Sequence, residues 1–311
     1  MKIRDRLIII KNLSGLSQEK LAKELGVSFA TFNSWINGRS KPRRKAEENI
    51  NNLYFVNTGQ KEILEDPLKA KKFIISDKSK KHKNILKEIL ANSDTYDQFL
   101  LSLTYNSNKI EGSTLTEGET MAIMFENVSL PNKDIIEHLE VKNHQAALEY
   151  LFKCLLVPSF KIDETFILKL HGILMNSIKD DAGSYRNHNV RIVGSYVPTA
   201  NYLKLPKLMK EMIKDINLEN DNIIAHIAKT HSRFEQIHPF SDGNGRIGRL
   251  LMNAMLLKGN LPPAVIKQKK KRFYNNSLKK AQLKEDFIPL EDLLCDAAIE
   301  GLKILKKKVL S

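Results

Sequence analysis

His238-Pro-Phe-Ser-Asp-Gly-Asn-Gly-Arg-Ile-Gly-Arg249 sets a base, a carboxylate, an amide, three glycines and two arginines within twelve residues. Gly243-Asn-Gly245 is a turn whose backbone N–H groups can approach a ligand, because glycine carries no Cβ. Ile247, Leu250, Leu251, Met252 and Met255 follow at helical spacing. A glycine loop therefore opens onto a helix N-terminus, which is a ready anion site. Arg246 and Arg249 stand three apart, on one helix face. Two guanidinium forks suit a polyphosphate better than a single carboxylate. Asp242 is a hard oxygen donor suited to Mg²⁺. His238 can take a proton near neutral pH. No Lys-Ser/Thr follows the glycines, so this is not a P-loop.

The stretch resembles the Fic family signature, His-Pro-Phe-x-Asp/Asn-Gly-Asn-Gly-Arg-x-x-Arg, with every fixed position filled. The looser likeness runs from about Asn92 to the C-terminus. The resemblance implies transfer of AMP from ATP to a hydroxyl of a target protein. It implies His238 as base, Asp242 as Mg²⁺ ligand and Asn244 in the α-phosphate pocket. Gly243 and Gly245 supply backbone amides, Arg246 meets the inner phosphates, and Arg249 meets the γ-phosphate. Tyr274, after the basic run Lys267-Gln-Lys-Lys-Lys-Arg272, is carried over to the nucleotide pocket.

Ser107-Asn-Lys-Ile-Glu111-Gly112 is a helix end with a glycine stop on composition alone. It also resembles the family's inhibitory Ser/Thr-x-x-x-Glu-Gly/Asn. The resemblance pairs Glu111 with Arg249, a fork that cannot serve a carboxylate and a γ-phosphate together. Ser107, Glu111 and Gly112 would then form a built-in brake.

The chain has 311 residues, 42% of them hydrophobic, enough for two domains. Cys154 and Cys295 make no disulfide scaffold and fit a reducing, cytoplasmic setting. Ile8-Ile9-Ile10 is too short for a membrane span, so no membrane partner is expected. The net charge of +14 points to an anionic partner or to a diffuse basic surface.

Residues 1–57 read as a small all-α module. Ser17 and Ser28 are N-caps, and Gly26 ends the helix between them. Helix, short glycine turn, helix is the helix-turn-helix plan. Leu16-Ser-Gln-Glu-Lys-Leu-Ala-Lys-Glu-Leu-Gly-Val-Ser28 and Trp35-Ile-Asn-Gly-Arg39 resemble lambda-repressor-like modules. That plan makes residues 28–37 the recognition helix. Gln18, Ser28, Phe29, Thr31, Asn33 and Ser34 face double-stranded DNA in this reading, and Arg39 serves phosphates. The module holds 11 Lys/Arg against 5 Asp/Glu. A single module of this kind binds weakly, so a homodimer is expected for specific binding.

Residues 58–92, with eight lysines and three acids between Asp66 and Glu88, read as a solvated basic linker with some helix and a modest apolar face at Leu68, Phe73, Ile74 and Ile75. Residues 93–311 read as a mainly α domain, with long helices over about 134–155 and 222–237. His171 falls in an apolar pattern and reads as structural, as do His226 and His231, five apart. One segment breaks the helical pattern. Gly183-Ser-Tyr-Arg186 leads into Asn189-Val-Arg-Ile-Val193, then Gly194-Ser195 and Tyr196-Val-Pro-Thr199. This reads as a β-hairpin with a type II′ turn. The family resemblance makes it a flap, Val190, Arg191, Ile192 and Val193 docking the target segment by strand addition.

The sequence therefore predicts an autoinhibited protein adenylyltransferase with a DNA-binding module. Two alternatives stand beside it: a hydrolase that removes AMP, and a DNA-bound regulator whose Fic domain senses nucleotide. An intact His238 and Asp242 argue against the latter, since binding alone needs no base.

Overall fold

The computed structural model describes residues 1–192 and 196–306. Among the described residues the regular structure is helical throughout. The helices are α1 (Ile3–Ser14), α2 (Gln18–Glu24), α3 (Phe29–Ile36), α4 (Arg44–Thr58), α5 (Pro67–Ser79), α6 (Ile85–Ala91), α7 (Ser93–Glu111) and α8 (Glu117–Met121). After a π-turn over Ala122–Glu126 come α9 (Ile135–Leu155), α10 (Glu164–Leu174), α11 (Leu205–Ile216), α12 (Ile223–Ile237), α13 (Asn244–Lys258), α14 (Lys271–Lys284) and α15 (Ile288–Lys306). None is long and apolar enough to cross a membrane.

The N-terminal module is α1–α4 around Leu7, Ile10, Leu21, Phe32, Ile50 and Tyr54. Its expected caps are present. Ser17 accepts from the Lys20 amide, and Ser28 from the Thr31 amide. Gly26 takes a left-handed conformation, φ +68°, that lets α2 stop and α3 start at an angle.

Residues 58–92 are not a solvated tether. Asp66 caps α5, with Pro67 in the first turn. Ala70, Ile74 and Ile75 are buried, and α5 packs on α15. Lys71 lies inside this contact, 2.7 Å from Asp292 and 2.8 Å from Asp296. Lysine-rich composition misleads here because a lysine can bury its stem along apolar surface while its head is paired. α6 adds buried Ile85, Leu86 and Ile89. α1 also rests on α15, where Asn12 donates to Asp296 at 3.3 Å.

The centre of the larger part is α13, buried from Arg246 through Leu257. It packs against α12, α9, α7 and α10. α7 stops at Gly112, φ +116°. Glu137 of α9 fixes the turn that follows, accepting from the Ser113 hydroxyl at 2.9 Å and from the Thr114 amide at 2.5 Å. This delivers the last turn of α7 to the first turn of α13.

The hairpin expectation is corrected in part. No strand is present among the described residues, and the turn Gly194-Ser195 with Val193 lies outside them. The arms do face each other, since the Thr199 hydroxyl donates to the Val190 carbonyl at 2.6 Å. Pro198 has no N–H to offer a ladder, so here a side chain takes the place of a backbone donor.

If α5 is part of the core, Ile74→Ala should cost about 2–5 kcal/mol in urea unfolding of the full chain. A solvated tether would lose no more than about 0.5 kcal/mol.

Candidate active site

His238 caps the C-terminus of α12 in the left-handed region, φ 52° and ψ 62°. Its Nδ1 lies 3.1 Å from the Glu235 carbonyl oxygen. That oxygen can only accept, so Nδ1 carries the proton and Nε2 keeps its lone pair. Burial holds the imidazole below the ordinary histidine range, and Arg186 nearby adds to the effect. The ring is therefore a neutral base at neutral pH.

The loop from His238 to α13 is braced from three sides. Asn244 accepts from the Phe240 amide at 2.9 Å and donates to the Phe240 carbonyl at 2.8 Å. Phe240 stacks on His171, centroids 3.7 Å apart. The Gly183 amide donates to His171 Nδ1 at 2.9 Å, which leaves Nε2–H to donate to the Asp242 carbonyl at 3.2 Å. Gly243 cannot be replaced cheaply. Its φ is +75°, and an added Cβ would meet Met175 Sδ at 2.8 Å.

α13 begins at Asn244 with no side-chain cap, so its first amides have no partner within the helix. A carboxylate stands over them. A Cβ on Gly245 would lie 2.3 Å from Glu111 Oε1, so only glycine admits that group here. Glu111 Oε1 also accepts from Arg249 NH2 at 2.7 Å. Arg249, only 5% exposed, is held further by Ser107. Its Nε donates to the Ser107 hydroxyl at 3.0 Å and NH2 to the Ser107 carbonyl at 3.1 Å. Burial alone would raise the Glu111 carboxyl. Arg249, Arg246 and Lys271 outweigh it and hold the group below the usual carboxylate range.

Arg246 is also occupied. NH1 meets Glu140 of α9 at 2.5 Å, and NH2 lies 3.6 Å from Asp242 Oδ1. Asp242 Oδ1 accepts from the Gly243 amide at 2.6 Å, and Oδ2 stands 3.6 Å from Lys179. Among the described residues no group of three or more His, Cys, Asp or Glu side chains is set to hold a metal. The half-exposed Asp242 carboxylate fits a Mg²⁺ that arrives with a triphosphate, because such ions commonly take one carboxylate plus phosphate and water oxygens.

Tyr274 does not offer its ring to open space. It is buried behind Arg249, 6.0 Å from the guanidinium, and its hydroxyl is hydrogen bonded to His231 Nε2 at 2.7 Å. Beside them burial pushes the Glu235 carboxyl up to about 8, and its Oε1 finds no partner. Glu140, Lys179, Arg186 and Glu235 escape a reading of the sequence. Each acts through a contact distant in sequence, or through burial, and neither leaves a local pattern.

In the N-terminal module Gln18 accepts from Asn33 at 3.2 Å, which ties α2 to α3. Ser28 and Thr31 share a bond at 2.9 Å, and Ser34 bonds Ser40 at 2.7 Å. Phe29 and Arg39 are exposed.

Comparison with known proteins matches residues 161–256 to the Fic/DOC family and residues 8–46 to a helix-turn-helix model. A protein adenylyltransferase Fic of Nematostella vectensis is 36% identical over 185 residues, 57% of this chain and 42% of the relative. One from Drosophila erecta is 31% identical over 204 residues, 64% of this chain and 40% of that one. The chain thus spans less than half the length of the curated relatives it matches. A Fic domain containing signaling protein from Bacteroides thetaiotaomicron superposes with a TM-score of 0.67 at 26% identity, over 76% of this chain and 96% of that one. Fic-1 from C. elegans shares the fold, with a TM-score of 0.67 at 23% identity over 92% and 84% of the two chains. This chain carries a Fic/DOC family domain and, ahead of it, a helix-turn-helix domain.

Proposed function

We propose that the chain transfers AMP from ATP to a Ser, Thr or Tyr hydroxyl of a target protein. The carrying observation is His238, held by the Glu235 carbonyl with Nε2 unpartnered among the described residues, beside the uncapped N-terminus of α13. His238 Nε2 takes the hydroxyl proton as the oxygen bonds to the α-phosphorus. The bond to the β-phosphate oxygen breaks and pyrophosphate leaves. The first amides of α13, with Arg246 and Arg249, stabilise negative charge on the phosphates. Asp242 would hold a magnesium ion brought by the nucleotide, and that ion supplies charge neutralisation.

The resting chain is braked in this reading. Glu111 occupies Arg249 and the space over Gly245. A γ-phosphate competes for the same fork, and without it the triphosphate is misaligned for in-line attack. The segment around Val190, Arg191 and Ile192 guides the target, and α3 reads duplex DNA.

Three measurements test this reading. ATP labelled at the α-phosphate should label protein strongly with Glu111→Gly and weakly with the parent chain. Arg249→Ala should abolish labelling even in the Glu111→Gly background. Equal labelling of parent and Glu111→Gly would reject the brake, and label arriving from the γ-phosphate would reject adenylyl transfer.

His238→Ala in the Glu111→Gly background should lose roughly 10²–10⁴-fold in rate while still binding ATP. The lowered imidazole affinity for protons keeps the base form present further into acid. The rate should therefore fall only below a pH of about 6.5, the ordinary histidine value. An acid limb above that value would contradict the assignment.

For DNA, the full chain should bind duplex with a steep salt dependence. Replacing Arg39, Arg43 and Arg44 with Ser should flatten the slope of log K against log salt by about 0.9 for each phosphate no longer neutralised. An unchanged slope would remove these arginines from the interface.

A further inference from the structure

Arg186 stands in the loop after α10 and is 3% exposed. It forms no ion pair among the described residues. Every acceptor it finds is a backbone carbonyl. Nε donates to His238 O at 2.7 Å and NH1 to His188 O at 2.6 Å. NH2 donates to Ala200 O at 2.6 Å and to Ile237 O at 3.3 Å. Its own amide donates to Pro239 O at 3.0 Å.

These acceptors fall into two groups. Ile237, His238 and Pro239 are the end of α12 and the start of the loop that carries the base. His188 and Ala200 flank the segment that doubles back through the Thr199–Val190 bond. A rigid five-donor fork is the side chain that can span both, since lysine offers a point charge and no fixed plane. The α12 carbonyls are also the negative end of a helix dipole, which a buried cation answers. His238 is a non-glycine residue at φ 52°, a conformation that persists only where its surroundings over-determine it.

We infer that Arg186 is a positioning residue that locks the His238 backbone to both ends of the 188–200 segment, so that base and incoming target share one frame. The inference rests on the adenylyl-transfer reading for its catalytic consequence. Arg186 acts through His238 and touches no reacting atom. Its positive charge also lies beside the imidazole and disfavours protonation there.

The test uses the full chain with Glu111→Gly, and adds either Arg186→Lys or Arg186→Gln. Self-labelling from α-labelled ATP is followed against pH, ATP affinity is measured directly, and hydrogen exchange is followed over residues 187–201 and 237–243. ATP affinity should stay within about two-fold of the parent. Labelling at saturating ATP should fall roughly 10²-fold in both variants, the scale of a misplaced reacting group. The acid limb should move to higher pH in Arg186→Gln, which lacks the charge, and stay in place in Arg186→Lys. Exchange should quicken in both segments together while α13 stays protected. A variant that binds ATP and labels at the parental rate would overturn the inference, as would faster exchange in one segment alone. Should Arg186→Gln fail to fold, Arg186→Lys decides through rate and exchange. If the Glu111→Gly parent itself takes up no label, adenylyl transfer fails, and exchange still decides whether Arg186 joins the two segments.

Discussion

A guanidinium removed from water has to be met by a set of carbonyls, as Arg186 is, or by an anion, and Arg249 is removed almost completely. In this chain Glu111 is that anion, at 2.7 Å, with both polar atoms of Ser107 completing the fork. The pairing carries the last turn of α7 against the first turn of α13. It also explains the glycine at 245, where a Cβ would strike the carboxylate. Arg246 repeats the solution with Glu140 of α9. Two long helices are thus pinned to the head of α13 by charges that a polyphosphate could equally satisfy. On the proposed function, that is the physical basis of competition between carboxylate and nucleotide.

His238 is positioned by a different kind of contact. Around His238 and the loop that follows, the holding groups are mostly backbone carbonyls and amides, met by Glu235 O, Asn244, His171 and Arg186. These bonds fix direction as well as distance. The outcome is a ring whose tautomer is set and whose free nitrogen is known. Glu235 illustrates the cost of the arrangement. Its carboxyl is buried close to Glu111 and Arg249, is pushed up to about 8, and is left with an unpartnered oxygen.

Much of this is legible in the sequence because the signals are local. Helical spacing places α9 over about 134–155 and α12 over 222–237, against Ile135–Leu155 and Ile223–Ile237. Ser17, Ser28 and Gly112 act at the helix ends where their residue types act in general. The illegible parts depend on partners far along the chain. Arg246 finds Glu140 at a separation of 106 residues, and Lys71 finds Asp292 at 221. No periodicity encodes such a pair. Asn244 adds a detail that only the folded loop reveals: both ends of its side-chain amide are spent on Phe240. Tyr274 points to the nucleotide by position alone, and burial turns it into backing for Arg249.

The same geometry says which partner of the Glu111–Arg249 pair has freedom to leave. Arg249 sits in the second turn of α13, a helix buried along most of its length, with its side chain 6% exposed, between Ser107 and Tyr274. Glu111 is the last residue of α7, with 37% of its side chain open to solvent. Gly112 follows in a left-handed conformation that ends the helix, and the turn beyond it is held to Glu137 of α9. Helix ends open at lower free energy than helix middles, because fewer contacts must be broken. Release of the carboxylate therefore needs only the Glu111 side chain, at the end of α7, to turn toward solvent. The Ser107 bonds to Arg249, one turn earlier, need not be broken. A guanidinium held by Ser107 while its carboxylate swings away keeps its place beside Gly245, where the proposed function sets a phosphate.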